Sequence, residues 1–353
     1  MNVVFVAAAR ESIRRSERGT VGMIIKNTTV PDANPAIIYS EKDIPDELSD
    51  DNKEQIKFAL KGNDTTPRKL VVYVLKKEAE NYDEALSYFE IKKVNWLCFP
   101  TVKTDGQEEE IVTWVKTQRE GRNKVKAILP DNTADCEGII NYATNSVTIN
   151  EKEYKPEAFC SRIAGLLAGT SYKISSTYAV LEEITDCEKL DKDALDAAVD
   201  AGKFVLFYDG EKVKVARGVN SLVNVKKGKS DPWKKIRVVE TMDMMHDDLV
   251  ILAEDNYIGK YPNTYSNKCL LLSAINAYFK EMERNGLIQD YTITLDVEKI
   301  KDYIIENKGI SRDDAESMSD EEVKKQYTDD KVFLAASVTI VDVMEDIELE
   351  ITV

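Results

Sequence analysis

The reading of the fold turns on Leu70-Val-Val-Tyr-Val-Leu75, a run of six residues without a charged side chain. It is short, apolar and rich in β-branched and aromatic residues, the composition of a strand covered on both faces. Runs of the same kind stand at Gly22–Ile25, Trp96–Phe99, Lys124–Leu129 and Phe204–Phe207. Helices are expected between them at 52–61, 81–92, 107–121, 153–168 and 192–201. Buried strands alternating with amphipathic helices predict a parallel sheet with crossover helices. The polar stretch 28–50 carries Pro31, Pro35 and Pro45 and is expected to be a surface loop or small insertion. Near the end of the region, Asp209-Gly210 is expected to close a hairpin between Val205–Tyr208 and Val213–Ala216, since glycine accepts the positive φ of a tight turn.

After Val225 the texture changes. Residues 226–230 read as a polar linker, after which Asp231 is placed to cap a helix and Pro232 to occupy its first position. Val238, Met242, Met245, Leu249 and Leu252 fall on one stripe of that helix. A second helix carries Leu271, Ile275, Tyr278 and Met282 on one face and stops at Gly286. A strand (Tyr291–Leu295), a helix (Val297–Asn307), a charged helix or loop (Arg312–Tyr327) and two closing strands complete the pattern. The fold class is therefore α/β plus α+β: an N-terminal alternating strand-helix domain, then a C-terminal α+β domain completed by terminal strands.

The tails carry their own pattern. Ile347, Leu349, Ile351 and Val353 alternate with Glu348, Glu350 and Thr352, which describes a strand with one apolar and one acidic face. At the other end Val3, Val4, Phe5 and Val6 are strand-like and precede the basic stretch Arg10–Arg18. Chain ends fray unless a sheet ties them down. Two arrangements satisfy them: pairing within the same subunit, or donation to the sheet edge of a neighbour.

Among 353 residues, 48 Lys and Arg face 64 Asp and Glu, a net charge of −16, and 43% of residues are hydrophobic. That is enough apolar content for packed cores over about two domains. A strongly acidic surface repels a phosphate backbone, so no nucleic-acid partner is expected. No apolar run approaches the roughly 18–20 residues of a membrane span, so no membrane insertion is expected, and the chain reads as soluble and unsecreted. Five widely spaced cysteines without a CxxC pair read as free or buried thiols of a reducing compartment.

Catalytic chemistry finds little footing. The single histidine, His246, stands three residues after Asp243 and is read as a helix-surface or packing residue facing it, not as a metal ligand. Gly228-Lys229-Ser230 resembles the end of a phosphate loop, but Val223 occupies the position where the full motif needs glycine. Neither G-x-S-x-G nor G-x-G-x-x-G is present. Asp247, Asp248 and Glu108–Glu110 are read as solvated helix faces. No catalytic residue, metal or cofactor is assigned. The basic stretch Lys226–Arg237 is read as a solvated linker and helix start, or as a docking patch for an acidic protein surface.

Four segments carry a family resemblance. Phe204-Val-Leu-Phe-Tyr-Asp-Gly-Glu-Lys-Val-Lys-Val-Ala-Arg-Gly-Val-Asn-Ser-Leu222 is similar to a signature of contractile phage tail sheath proteins. So is Ser161-Arg-Ile-Ala-Gly-Leu-Leu-Ala-Gly-Thr170, continuing to Ser176-Thr177-Tyr178. The segment Lys235–Asp248 resembles the helix that opens their C-terminal domain, and Val341-Asp342-Val343-Met344-Glu345 resembles the turn before their last strand. The resemblance spans nearly the whole chain and points to a compact sheath of a myophage or phage-tail-like bacteriocin.

What the resemblance implies is a structural polymer and not an enzyme. Its partners would be other copies of itself, an inner tail tube, and baseplate and tail terminator proteins. It would be assembled in the bacterial host cytoplasm and reside in a virion tail or tail-like particle. Residues 1–19 would form an N-terminal arm, 20–225 the α/β domain, 226–344 the C-terminal sheath domain and 345–353 a C-terminal arm strand. The arms would be exchanged between subunits through Val3, Val4, Phe5, Val6, Ile347, Leu349, Ile351 and Val353. Lys234 and Lys235 would face the tube. The competing reading is an α/β small-molecule-binding protein or enzyme built on residues 20–210 without a recognisable motif. A sheath of a cell-borne injection or secretion system is the nearest variant of the first.

Overall fold

A computed structural model describes residues 18–225 and 228–352. Two units separate by their internal contacts, one holding Glu17–Glu240 with Val343–Val353, the other holding Thr241–Asp342. Each is described by itself.

In the first unit the elements run β1 (Thr20–Asn27), β2 (Ala36–Ile38), α1 (Asp50–Leu60), β3 (Lys69–Lys76), α2 (Asp83–Ile91), β4 (Trp96–Cys98), α3 (Glu108–Glu120), β5 (Lys126–Pro130) and β6 (Ile139–Tyr142). Then follow β7 (Val147–Ile149), β8 (Lys152–Tyr154), α4 (Pro156–Ala168), β9 (Asp186–Cys187), α5 (Lys192–Asp200), β10 (Lys203–Phe204), β11 (Leu206–Tyr208) and β12 (Val213–Val215). Seven strands make one sheet in the order β10-β6-β5-β4-β1-β3-β2. All neighbours are parallel except β2, which runs antiparallel on the edge beside β3. The apolar run at 70–75 lies inside this sheet, and its alternation divides it between two cores. Leu70, Val72 and Val74 join Ile56, Phe159 and Ile163 on the face covered by α1 and α4. Val71, Tyr73 and Leu75 join Phe89, Ile111 and Val115 on the face covered by α2 and α3. A period of two with both faces covered gives a continuously apolar strand.

The seam between α1 and α4 is closed by glycine. A Cβ on Gly165 would come within 2.2 Å of the Ala59 carbonyl oxygen, and one on Gly169 within 2.1 Å of the Thr65 carbonyl oxygen. Beside them Arg162, buried, donates to the Gly62 carbonyl at 2.8 Å and pairs with Glu183.

The second unit contains most of α6 (Ile236–Asn256), then α7 (Tyr265–Arg284), β13 (Ile288–Leu295), α8 (Val297–Lys308), α9 (Arg312–Ser317), α10 (Asp320–Lys324) and β14 (Leu334–Ile340). Strands β13 and β14 form an antiparallel pair with a bulge between Gln289 and Thr292. Tyr291, Ile293, Val338 and Ile340 on the pair pack with Met244 and Leu252 of α6 and Ile275, Tyr278 and Met282 of α7.

Several local expectations are corrected. The stretch 28–50 is not a bare loop: Ala36–Ile38 adds the edge strand and Glu41–Asp43 forms a 3-10 turn. The run 204–207 is two strands, because Phe204 pairs with Tyr142 while Leu206 pairs with Val215. The hairpin loop has four residues, with Asp209 accepting from the amides of Glu211 and Lys212. Asp231 does not cap α6. It lies in a 3-10 turn, Asp231–Lys234, and pairs with Lys234 at 3.0 Å. Residues 236–240 stay with the first unit, since Ile236 joins its core and Glu240 pairs with Lys126, so the division falls after Glu240 and not within the polar stretch 226–230. Asp248 is not solvated: it is fully buried and accepts from Tyr278 Oη at 3.0 Å. All five cysteines are free thiols, and Cys269 alone is not fully buried.

Candidate functional site

The residues that the sequence proposes as chemistry are committed elsewhere. His246 Nδ1 lies 3.0 Å from Asp247. Lys229 pairs with Glu137 at 2.7 Å and lies over the Trp233 ring, which takes it out of a phosphate loop. Among the described residues, no group of three or more His, Cys, Asp or Glu is arranged to hold a metal, and no helix is long and apolar enough to cross a membrane.

The candidate site is the C-terminal tail and the place where it leaves the body. Val3, Val4, Phe5, Val6 and Val353 lie outside the described residues. Residues 341–352 form no strand in the subunit. Ile347, Leu349 and Ile351 are between 72 and 83% exposed. Among the described residues, Ile347, Leu349 and Ile351 pair with no strand of the same chain, one of the two arrangements left open for the tail.

At the tail's root the pattern inverts. Glu345 has a side chain only 10% exposed, although Met344 before it is 91% exposed. Its Oε1 accepts from Thr177 Oγ1 at 2.5 Å and Ser175 Oγ at 2.9 Å. Its Oε2 accepts from Lys235 Nζ at 3.1 Å and lies 3.6 Å from the Arg217 guanidinium, which also pairs with Asp346. Backbone geometry sets this cluster. Ala179 and Val215 hold 178–180 beside 213–215. Thr177 Oγ1 accepts from the Gly218 amide at 2.9 Å, and Gly218 in turn accepts from the Ile236 amide, which brings Arg217 next to the start of α6. Ser175 accepts from the Thr177 amide, which fixes its hydroxyl. Thr177, Arg217, Lys235 and Glu345 come one each from the four segments that carry the resemblance. No sequence spacing would have joined them, since Lys235 and Glu345 are 110 residues apart.

The complementary feature is in the second unit. Beyond the ladder that joins them, β13 and β14 have no strand partner among the described residues. A groove of about 250 Å³ lies between this pair and its helices, lined by Leu249, Leu252, Leu271, Ile275, Phe279 and Ile293. An unpaired edge above an apolar groove is a template for another strand. Lys234 and Lys235, at the start of α6, are partly exposed.

The described residues thus hold a largely parallel sheet between helices, a helix-backed strand pair, and a tail in which Ile347, Leu349 and Ile351 lie exposed. The central domain of phage tail sheath proteins matches residues 76–221, and the phage tail sheath C-terminal domain matches residues 228–353. The tail sheath protein of Clostridium phage phiCD119 is 34% identical over 99% of this chain and 98% of its own length. The chain belongs to the phage tail sheath protein family. In structure it is similar to the sheath tail protein of Desulfitobacterium hafniense, with a TM-score of 0.72 and 17% identity over 84% of this chain and 93% of that one. It is likewise similar to the helical sheath of the anti-feeding prophage in its contracted state, with a TM-score of 0.68 and 15% identity over 100% of this chain and 98% of that one.

Proposed function

We propose that this sheath protein polymerises around an inner tube by donating its C-terminal strand to the β13–β14 edge of another copy, and that the polymer contracts to drive the tube through an envelope. The observation that carries this is the exposure of Ile347, Leu349 and Ile351 on one face of a tail with no strand partner among the described residues. Burial of an aliphatic side chain is worth about 1.5–3 kcal/mol, so three left in water forfeit roughly 5 kcal/mol or more that a neighbour's apolar groove can recover. Val353 continues the same face, and Val3, Val4, Phe5 and Val6 supply the second exchanged strand. The arms are then 1–19 and 345–353, on bodies that divide after Glu240.

Self-association of this kind is mechanical and needs no catalytic residue or cofactor. Contraction is the relaxation of a trapped lattice whose linked subunits move as rigid bodies. The further partners are the tube, the baseplate and the tail terminator, with assembly in the host cytoplasm. Lys234 and Lys235 are the tube-facing residues. Lys235 also holds Glu345, and Lys234 pairs with Asp231.

The test is removal of residues 347–353. The expected result is a folded subunit with an unchanged thermal midpoint that forms no rings, tubes or contracted sheaths by electron microscopy. Tubes of normal diameter from the truncated chain would overturn the proposal.

A further inference from the structure

We infer that Glu345 pins the root of the C-terminal strand to the body of its own subunit, so that the part free to reach a neighbour begins at Ile347. The inference rests on the strand-donation reading and adds to it where the donor strand is held and which surface the acceptor must approach.

The distribution of exposure argues that the pin is specific. Ordinary partition puts carboxylates in water and aliphatic side chains inside. Here Glu345 is drawn in while Met344 and Ile347 on either side stay 91 and 83% exposed. Apolar collapse of the tail cannot produce that arrangement. Two hydroxyls and two cations that converge on one carboxylate can, because charge-assisted hydrogen bonds are the strong ones. Asp346 adds a second contact to Arg217, so the hold spans two consecutive residues.

Geometry then limits the neighbour. An extended chain advances about 3.3 Å per residue. Ile347 directly follows the pinned pair, so a sheet edge that pairs with it passes within roughly 10 Å of the pin. The acceptor β13–β14 edge of the next copy therefore docks beside the surface around Tyr178, which is 54% exposed. No slack segment separates pin from strand, and movement between linked subunits cannot be taken up there.

The experiment compares E345A, E345K, the double variant K235E/E345K and the 347–353 deletion in the full-length chain, without tube. Amide hydrogen exchange over 343–352 and the concentration at which polymer sediments are read, with the thermal midpoint as control. E345A and E345K are expected to keep the midpoint, to exchange faster in the tail, and to need about tenfold more protein to assemble. K235E/E345K is expected to recover part of that loss. If both single variants exchange and assemble like the parent while the deletion abolishes assembly, the pin is wrong and strand donation stands. If the deletion assembles normally, strand donation fails and the pin with it.

Discussion

Lys126 Nζ lies 2.5 Å from Glu240 Oε1 and 4.8 Å from the centroid of the Trp96 ring, in a side chain only 1% exposed. Arg18 stands 3.8 Å from the same glutamate. An ammonium ion buried in a parallel sheet is tolerated because a carboxylate, an aromatic face and the Lys124 carbonyl meet it. The pair ties the N-terminal part of α6 to β5 within the first unit. Removing one member of such a pair costs more than the pair is worth, because the other charge is left behind. Lys126→Met is expected to destabilise the first unit by about 3 kcal/mol. Lys126→Met with Glu240→Leu should be less destabilising than the single change, as read by chemical denaturation.

Gly165 gives a second test. Its Cα faces the Ala59 carbonyl so closely that any side chain displaces backbone, which cannot rotate away as a side-chain tip can. Gly165→Ala is therefore expected to cost about 3 kcal/mol, at the upper end of overpacking changes, despite alanine's better helix propensity. A midpoint at or above that of the parent would show that α1 and α4 are not in backbone contact.

These two sites mark what the sequence does and does not reveal. Strand identity was legible at 70–75 because burial on both faces leaves an unbroken apolar run. The edge strand at Ala36–Ile38 was not, since three residues between Pro35 and a polar turn give no period to read. Asp248 was misread because acidic residues are common in this chain, and its burial depends on Tyr278, thirty residues later. The tail's alternation of apolar and acidic residues was legible in the sequence. Its anchor was not, because Ser175, Thr177, Arg217 and Lys235 meet Glu345 only after the chain has folded.

The Arg162–Glu183 pair predicts an acid response. Burial pushes the Glu183 carboxyl up, but the Arg162 guanidinium, by charge and hydrogen bond, outweighs it and holds the group below its ordinary value of 4.5. A carboxyl depressed on folding contributes stability that is complete above its unfolded value and is lost as pH falls through the folded one. Glu183→Gln is expected to lower stability by about 2 kcal/mol at pH 7. The gap between parent and variant should narrow as pH falls below 4.5. Thermal midpoints across pH 7 to 3 check this, and the difference between the two proteins cancels the other carboxyls (roughly, for sites that do not touch). A gap that is constant or widens toward acid would contradict the assignment.

The two faces of the tail should behave differently. Leu349 is 78% exposed, so a charge there leaves the lone subunit within about 0.5 kcal/mol of its stability. In a strand seated over an apolar groove the same charge would be buried without a partner, which costs several kcal/mol. Leu349→Asp is therefore expected to abolish sheath-like polymer while leaving the thermal midpoint in place. Glu348 and Glu350 point to the opposite face by the two-residue period. Replacing both with Gln keeps the strand and its apolar face, so assembly should persist at a concentration within about threefold of the parent, the shift a few tenths of a kcal/mol produces. Sedimentation and negative-stain microscopy read both outcomes. Equal loss from the two sets of changes would mean that the tail does not bind as a strand with one apolar side.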